Sequence, residues 1–119
     1  QWLSRTRANG CRHAVLEVTS HALAQHRLAG VELDVACVTN VRRDHLDFHG
    51  NADRYLQAKG RLLELLRGEG VAIFNVDDEG SRRLLADFHG PALTVGLEHT
   101  AEITATTRAA AESFIARSP

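Results

Sequence analysis

Residues 35–74 read VACVTNVRRDHLDFHGNADRYLQAKGRLLELLRGEGVAIF, and this stretch decides the fold. Val35-Ala36-Cys37-Val38-Thr39 is a short apolar run that ends at Asn40, and Val71-Ala72-Ile73-Phe74 is another. Each is apolar on both alternating faces, the pattern of a strand covered by helices on two sides. Between them, after a polar segment from Asp44 to Gly50, residues 51–66 follow a helical period, with Asn51 as a cap and Gly68 as a stop. Strand, helix, strand implies a right-handed crossover and parallel pairing.

The same alternation extends outward. Residues 1–9 read as the tail of a helix stopped by Gly10, and Ala14-Val15-Leu16-Glu17-Val18 as a further strand. A short polar helix or turn is expected from Ser20 to about Arg27, a helix from Asp77 to about Phe88 and a strand from Ala92 to Gly96. Ile103, Ala105, Phe114 and Ala116 alternate in a way that predicts an antiparallel pair at the C-terminal end. The fold class is therefore α/β, a mostly parallel sheet flanked by helices. Ligands of such sheets sit at the carboxyl ends of the strands, which directs attention to the polar segments after Val18 and Thr39.

Composition narrows the function. The sequence of 119 residues begins at Gln1 and holds no methionine, which fits one domain or a piece of one. Hydrophobic residues at 44% and charged residues at 24% argue against wholesale disorder. The net charge of −1 gives no general electrostatic grip on nucleic acid or an anionic membrane. No run approaches the roughly 20 apolar residues of a membrane span, and no cleavable signal opens the chain. Cys11 and Cys37 form neither a CxxC pair nor a disulfide framework, so a reducing cytoplasm is the simpler expectation.

Four groups of residues can carry chemistry. Glu17 is a carboxylate in an otherwise apolar run; it needs a cationic or backbone partner, or it ligates a hard cation such as magnesium. The segment Arg42-Arg43-Asp44-His45-Leu46-Asp47-Phe48-His49 gathers two His, two Asp and two Arg beside a strand end. Its histidines are either solvated loop residues or metal ligands, and Leu46 rules out the metalloprotease HExxH pattern. Lys59 falls at the centre of a helical stripe that holds Ala52, Tyr55, Leu56, Leu62, Leu63 and Leu66 within about 60° of one line. A lysine there snorkels outward or brings its nitrogen into a site. Desolvation disfavours its cation, and a neutral amine reacts with carbon dioxide to give a carbamate, an anionic metal ligand. Thr19, Ser20, His21, Gln25, His26 and Arg27 offer hydroxyl, amide and guanidinium donors, or a helix N-cap followed by a solvated face. Asp77 and Asp78 are expected at a helix N-terminus, complementing its dipole.

In this order, the segments resemble the central domain of the Mur ligases, most closely the tripeptide-forming branch. The residues that carry the resemblance are Glu17-Val18-Thr19-Ser20-His21-Ala22-Leu23, Gln25-His26-Arg27, Thr39-Asn40, Arg43 through Gly50, Tyr55 with Ala58-Lys59, and Asn75-Val76-Asp77-Asp78. Thr19 stands where the family usually has Ser, and Arg42 where Ser or Thr is common. The resemblance implies a P-loop-NTPase-like fold and part of an ATP- and Mg2+-dependent amide ligase of peptidoglycan synthesis. Its expected substrates are UDP-MurNAc-L-Ala-D-Glu, activated as an acyl phosphate, and meso-diaminopimelate or L-lysine. Carried over by position, Glu17, His45 and a carbamylated Lys59 are expected magnesium ligands, with Lys59 and His45 catalytic. Thr19, Gln25 and Arg27 are expected to contact the UDP-MurNAc-dipeptide, and Asp44 to orient His45 or a metal-bound water.

The family's GTNGKT-like phosphate loop has no counterpart in the sequence, which contains no Gly-Lys-Thr. Residues 1–119 are thus expected to be a fragment of the central domain, without the phosphate loop or the N- and C-terminal domains. The fragment is expected to be inactive alone, and its parent to be a cytoplasmic, monomeric enzyme. Two other readings are a non-catalytic binding or scaffold module of the same fold, and a metal hydrolase built on His45, His49 and Asp47.

Overall fold

The structure, a computed structural model, describes residues 2–41, 52–107 and 114–117. In chain order its elements are α1 (Trp2–Ala8), α2 (Ser20–Ala24), β1 (Leu33–Val38), α3 (Ala52–Gly60), a single 3-10 turn (Leu63–Leu65), β2 (Leu66–Asn75), α4 (Glu79–Asp87), β3 (Ala92–Gly96), β4 (Ile103–Thr107) and β5 (Phe114–Arg117). One sheet runs β1-β2-β3-β4-β5. The first four strands are parallel, and β5 returns antiparallel to β4, as the alternation over 101–117 predicts.

Only Val95 with Ile103 and Gly96 with Thr104 pair between β3 and β4. Because β4 starts beside the end of β3, the connection need not travel back along the sheet, and no crossover helix is required. Thr94 and Glu102 close this connection reciprocally: the Glu102 carboxylate accepts the Thr94 N–H at 2.8 Å, and Thr94 Oγ1 accepts the Glu102 N–H at 2.9 Å.

Helices α3 and α4 cover one face of the sheet. Val38, Ala72, Phe74 and Leu84 form the buried core there, with Leu56, Leu63, Leu66, Leu85 and Phe88 packed around it. Phe74 is fully buried, and its ring meets that of Phe88 at 5.6 Å between centroids in a tilted arrangement. Burial of each such side chain contributes about 1.5–3 kcal/mol. The opposite face holds the alternate residues Val35, Cys37 and Leu93, which remain exposed. Among the described residues the sheet is therefore covered on one side, where the sequence pattern predicts two.

Helix α3 is shorter than the expected 51–66. It ends at Gly60, where a Cβ would lie 3.3 Å from Leu84 Cδ2, so close packing against α4 accounts for a glycine at this point. Chain that the sequence assigns to the helix end instead starts β2, from Leu66 onward. Gly70 permits this. A Cβ there would lie 3.0 Å from the carbonyl oxygens of both Leu33 and Arg67. The β1–β2 register shifts between Leu33 and Val35.

The largest departure is at residues 14–18. They form no strand, and Val15 is 97% exposed. A strand apolar on both faces gains from joining a sheet only where both faces are then covered. Around β1 the described residues supply helices on one face alone, so that gain is absent.

Candidate functional site

Residues 12–18 face β1 across an open cleft of about 710 Å³. Its far wall is β1 with the residues just beyond it, Thr39 and Asn40, and Lys59 and Leu62 reach it from the helical side. The cleft runs along all of β1, from Val31 to Asn40, and so takes in the carboxyl end, where a parallel sheet presents a ligand.

Glu17 and Lys59, which lie 42 positions apart in sequence, both line this cleft. Glu17 is exposed, on a segment without regular structure. Lys59 is half-buried at the end of α3, with its ammonium 6.0 Å from the centroid of the Tyr55 ring, at the outer reach of a cation–π contact. Tyr55 and Ala58 are the buried positions of α3, so Lys59 lies beside the apolar stripe, on the side of the cleft, rather than at its centre.

Thr19, Gln25 and Arg27 are outside the cleft, around α2, which packs on α3. Thr19 caps α2: its hydroxyl accepts the Ala22 N–H at 3.2 Å, and its hydrogen remains available to donate. Gln25 closes the other end through its backbone N–H to the His21 and Leu23 carbonyls. Thr19 and Gln25 thus stand about 9 Å apart along the helix axis. The Arg27 N–H turns back to the Ala22 carbonyl at 2.9 Å, after His26 in the left-handed region at φ 52°. That reversal leaves the Gln25 and Arg27 side chains exposed on the surface. His45, Asp44, Asp47 and His49 lie outside the described residues.

Cation chemistry is compatible with the cleft. Glu17, Thr39 and Asn40 supply oxygen donors, and a magnesium ion bound by one or two carboxylates retains waters and takes further oxygens from a phosphate. Cys37 also lines the cleft; although the residue is exposed, partial desolvation pushes its thiol above the ordinary value.

The β2–α4 turn divides two tasks that sequence reasoning gave jointly to Asp77 and Asp78. Asp78 is the cap of α4, accepting the Ser81 N–H at 2.7 Å. Asp77 turns away toward the β3–β4 connection. Its carboxylate accepts the backbone N–H groups of Leu97 at 2.5 Å, Glu98 at 3.2 Å and His99 at 2.8 Å, and lies 3.0 Å from His99 Nδ1. The Leu97 hydrogen bond is the largest cause that lowers the Asp77 pKa to about 2. Adjacent aspartates before a helix are a cap signal, and nothing local reveals which of them reaches 20 residues ahead. Arg12 and His13, which sequence reasoning passed over, also line the cleft.

The sequence is similar to those of known proteins. The Mur ligase middle domain matches residues 1–117. The UDP-N-acetylmuramoyl-L-alanyl-D-glutamate--2,6-diaminopimelate ligase of Synechococcus elongatus is 43% identical over 98 residues, which cover 82% of this chain and 20% of that enzyme. The enzyme of the same description from Pseudomonas putida is 46% identical over 88 residues, covering 72% of this chain and 17% of its own length. That of Gloeobacter violaceus is 46% identical over 79 residues, 66% of this chain and 16% of the enzyme. The chain spans about a fifth or less of the length of these relatives.

Proposed function

The chain belongs to the Mur ligase family, as a middle domain, and from that premise we propose that it is part of a longer ATP-dependent ligase. That enzyme joins 2,6-diaminopimelate to the D-glutamyl carboxylate of UDP-MurNAc-L-Ala-D-Glu in peptidoglycan synthesis. Parts outside these residues supply the phosphate loop and the selection of the amino acid. The observation that supports the reading is that Glu17 and Lys59 both line one cleft, which runs along β1 to its carboxyl end, in a chain whose relatives bear this activity in their names.

The reaction transfers the γ-phosphoryl group of ATP to the carboxylate; the amine then attacks the acyl carbon and phosphate leaves. Most of the catalysis in such a transfer is positioning and charge compensation. Magnesium, held by Glu17, His45 and a carbamylated Lys59, would supply that compensation. Exposure of Glu17 to water lets it share an ion with phosphate oxygens. Lys59 lines the cleft, where its nitrogen, once carbamylated, would present an anionic oxygen to the metal. Asp44 orients His45. Thr19 donates its free hydrogen, and Gln25 and Arg27 their side-chain N–H groups, to the UDP-MurNAc-dipeptide; the Arg27 fork suits a carboxylate or phosphate.

The test uses the full-length protein that contains these residues. ADP release should depend on UDP-MurNAc-L-Ala-D-Glu, Mg2+ and diaminopimelate together, with formation of the tripeptide. Absence of dipeptide-dependent ADP formation with either diaminopimelate or L-lysine would overturn the reading.

A further inference from the structure

The turn between β2 and α4 does more than begin a helix. Asp78 Oδ1 accepts the Ser81 N–H at 2.7 Å and also the Val41 N–H at 3.0 Å, 37 residues away in sequence. One carboxylate oxygen has a lone pair for each donor. Two more hydrogen bonds land on the same stretch: Asn75 Nδ2 donates to the Thr39 carbonyl at 2.8 Å, and Ser81 Oγ, fully buried, to the Val38 carbonyl at 3.3 Å. Gly80 leaves room for the contact, since a Cβ there would come within 2.5 Å of Val41 Cβ. A helix cap alone needs one of these interactions. The others bind the exit of β1, which carries Thr39 and Asn40 on the wall of the cleft. The same helix also grips α3, through Leu84 against Gly60 and through Arg83 to Asp53 at 3.1 Å, and α3 carries Lys59.

We propose that Asp78, seconded by Ser81 and Gly80, is a positioning residue for the cleft. It fixes Thr39 and Asn40 relative to Lys59 by registering the exit of β1 and helix α3 on the same helix α4. Its link to catalysis rests on the ligase reading above. A displacement of about 1 Å in a positioned group costs up to about 100-fold in rate, so the effect belongs in kcat.

The experiment uses the full-length protein. Asp78→Ser keeps a cap acceptor for Ser81 but is too short to reach Val41. Gly80→Ala displaces Val41 and leaves the cap in place. Asp78→Asn retains the oxygen that serves both donors. Asp78→Ser and Gly80→Ala should each lower kcat about tenfold or more, with the dipeptide KM within about twofold and with faster amide exchange at Val41. Asp78→Asn should stay within about threefold of the parent rate and keep Val41 protected. Wild-type kcat in both Asp78→Ser and Gly80→Ala overturns the proposal, as does unchanged Val41 exchange. A loss in Asp78→Asn equal to that in Asp78→Ser also overturns it, because charge rather than position would then be responsible. Should the unmutated protein form no ADP, the ligase reading falls, and Val41 exchange alone decides whether Asp78 holds the exit of β1.

Discussion

Lys59 and Asp77 show how far a single residue can be read from sequence. Lys59 stands out because a cation interrupts an apolar helical stripe, and the structure brings it to the cleft. Lys59→Ala in the full-length protein should lower the ligation rate by about 100-fold, with partial rescue by small carboxylates and little change in Tm. A wild-type rate would remove Lys59 from the site. Asp77 was legible only as a helix-start residue, because its partners belong to a loop whose position depends on tertiary structure. Its folded pKa of about 2 lies below the ordinary carboxylate value, so the stability it contributes is fully present above about pH 4. That contribution is lost as pH falls toward 2. Asp77→Asn should therefore be less stable than the parent at pH 7, and the gap should close between about pH 4 and pH 2 in urea titrations. A gap that stays constant across this range would refute the assignment.

At the scale of elements, the apolar runs 35–39, 71–74 and 92–96 predict β1, β2 and β3 because a strand in a covered sheet has little room for polar side chains. The boundaries escaped where glycine decides them. Gly68 reads as a helix stop, yet it lies within β2, and Gly70, two residues on, lets two carbonyl oxygens approach. Gly70→Ala should cost about 1–3 kcal/mol, since two of its three close neighbours are backbone atoms that cannot turn aside. Chemical denaturation measures this, and a neutral result would mean that β1 and β2 separate without cost at Leu33. The run 14–18 carries the composition of a strand, but pairing depends on what covers the sheet, which local sequence does not encode.

For the molecule as a whole, one-sided packing has a measurable consequence. Val35 at 54% exposure and Leu93 at 37%, together with Val15 at 97%, leave apolar surface beside the unpaired edge of β1. Such surface and such an edge promote association between chains. The 119-residue chain produced alone should self-associate with rising concentration, and Val35→Lys should reduce this in light-scattering or sedimentation measurements. A monomer at all concentrations would show that residues 12–18 shield the edge. No helix among the described residues is long and apolar enough to cross a membrane.

The Asp78 linkage also bears on the order in which the chain folds. Strands β2 and β3 pair across the short crossover through α4, whereas β1 reaches β2 across a longer excursion, with a larger closure entropy. The β2–α4–β3 unit is therefore expected to form before β1 joins it, with the Asp78 oxygen and the Gly80 gap already in place. The β1 wall of the cleft would then be seated onto a template that already dictates where its end must stop.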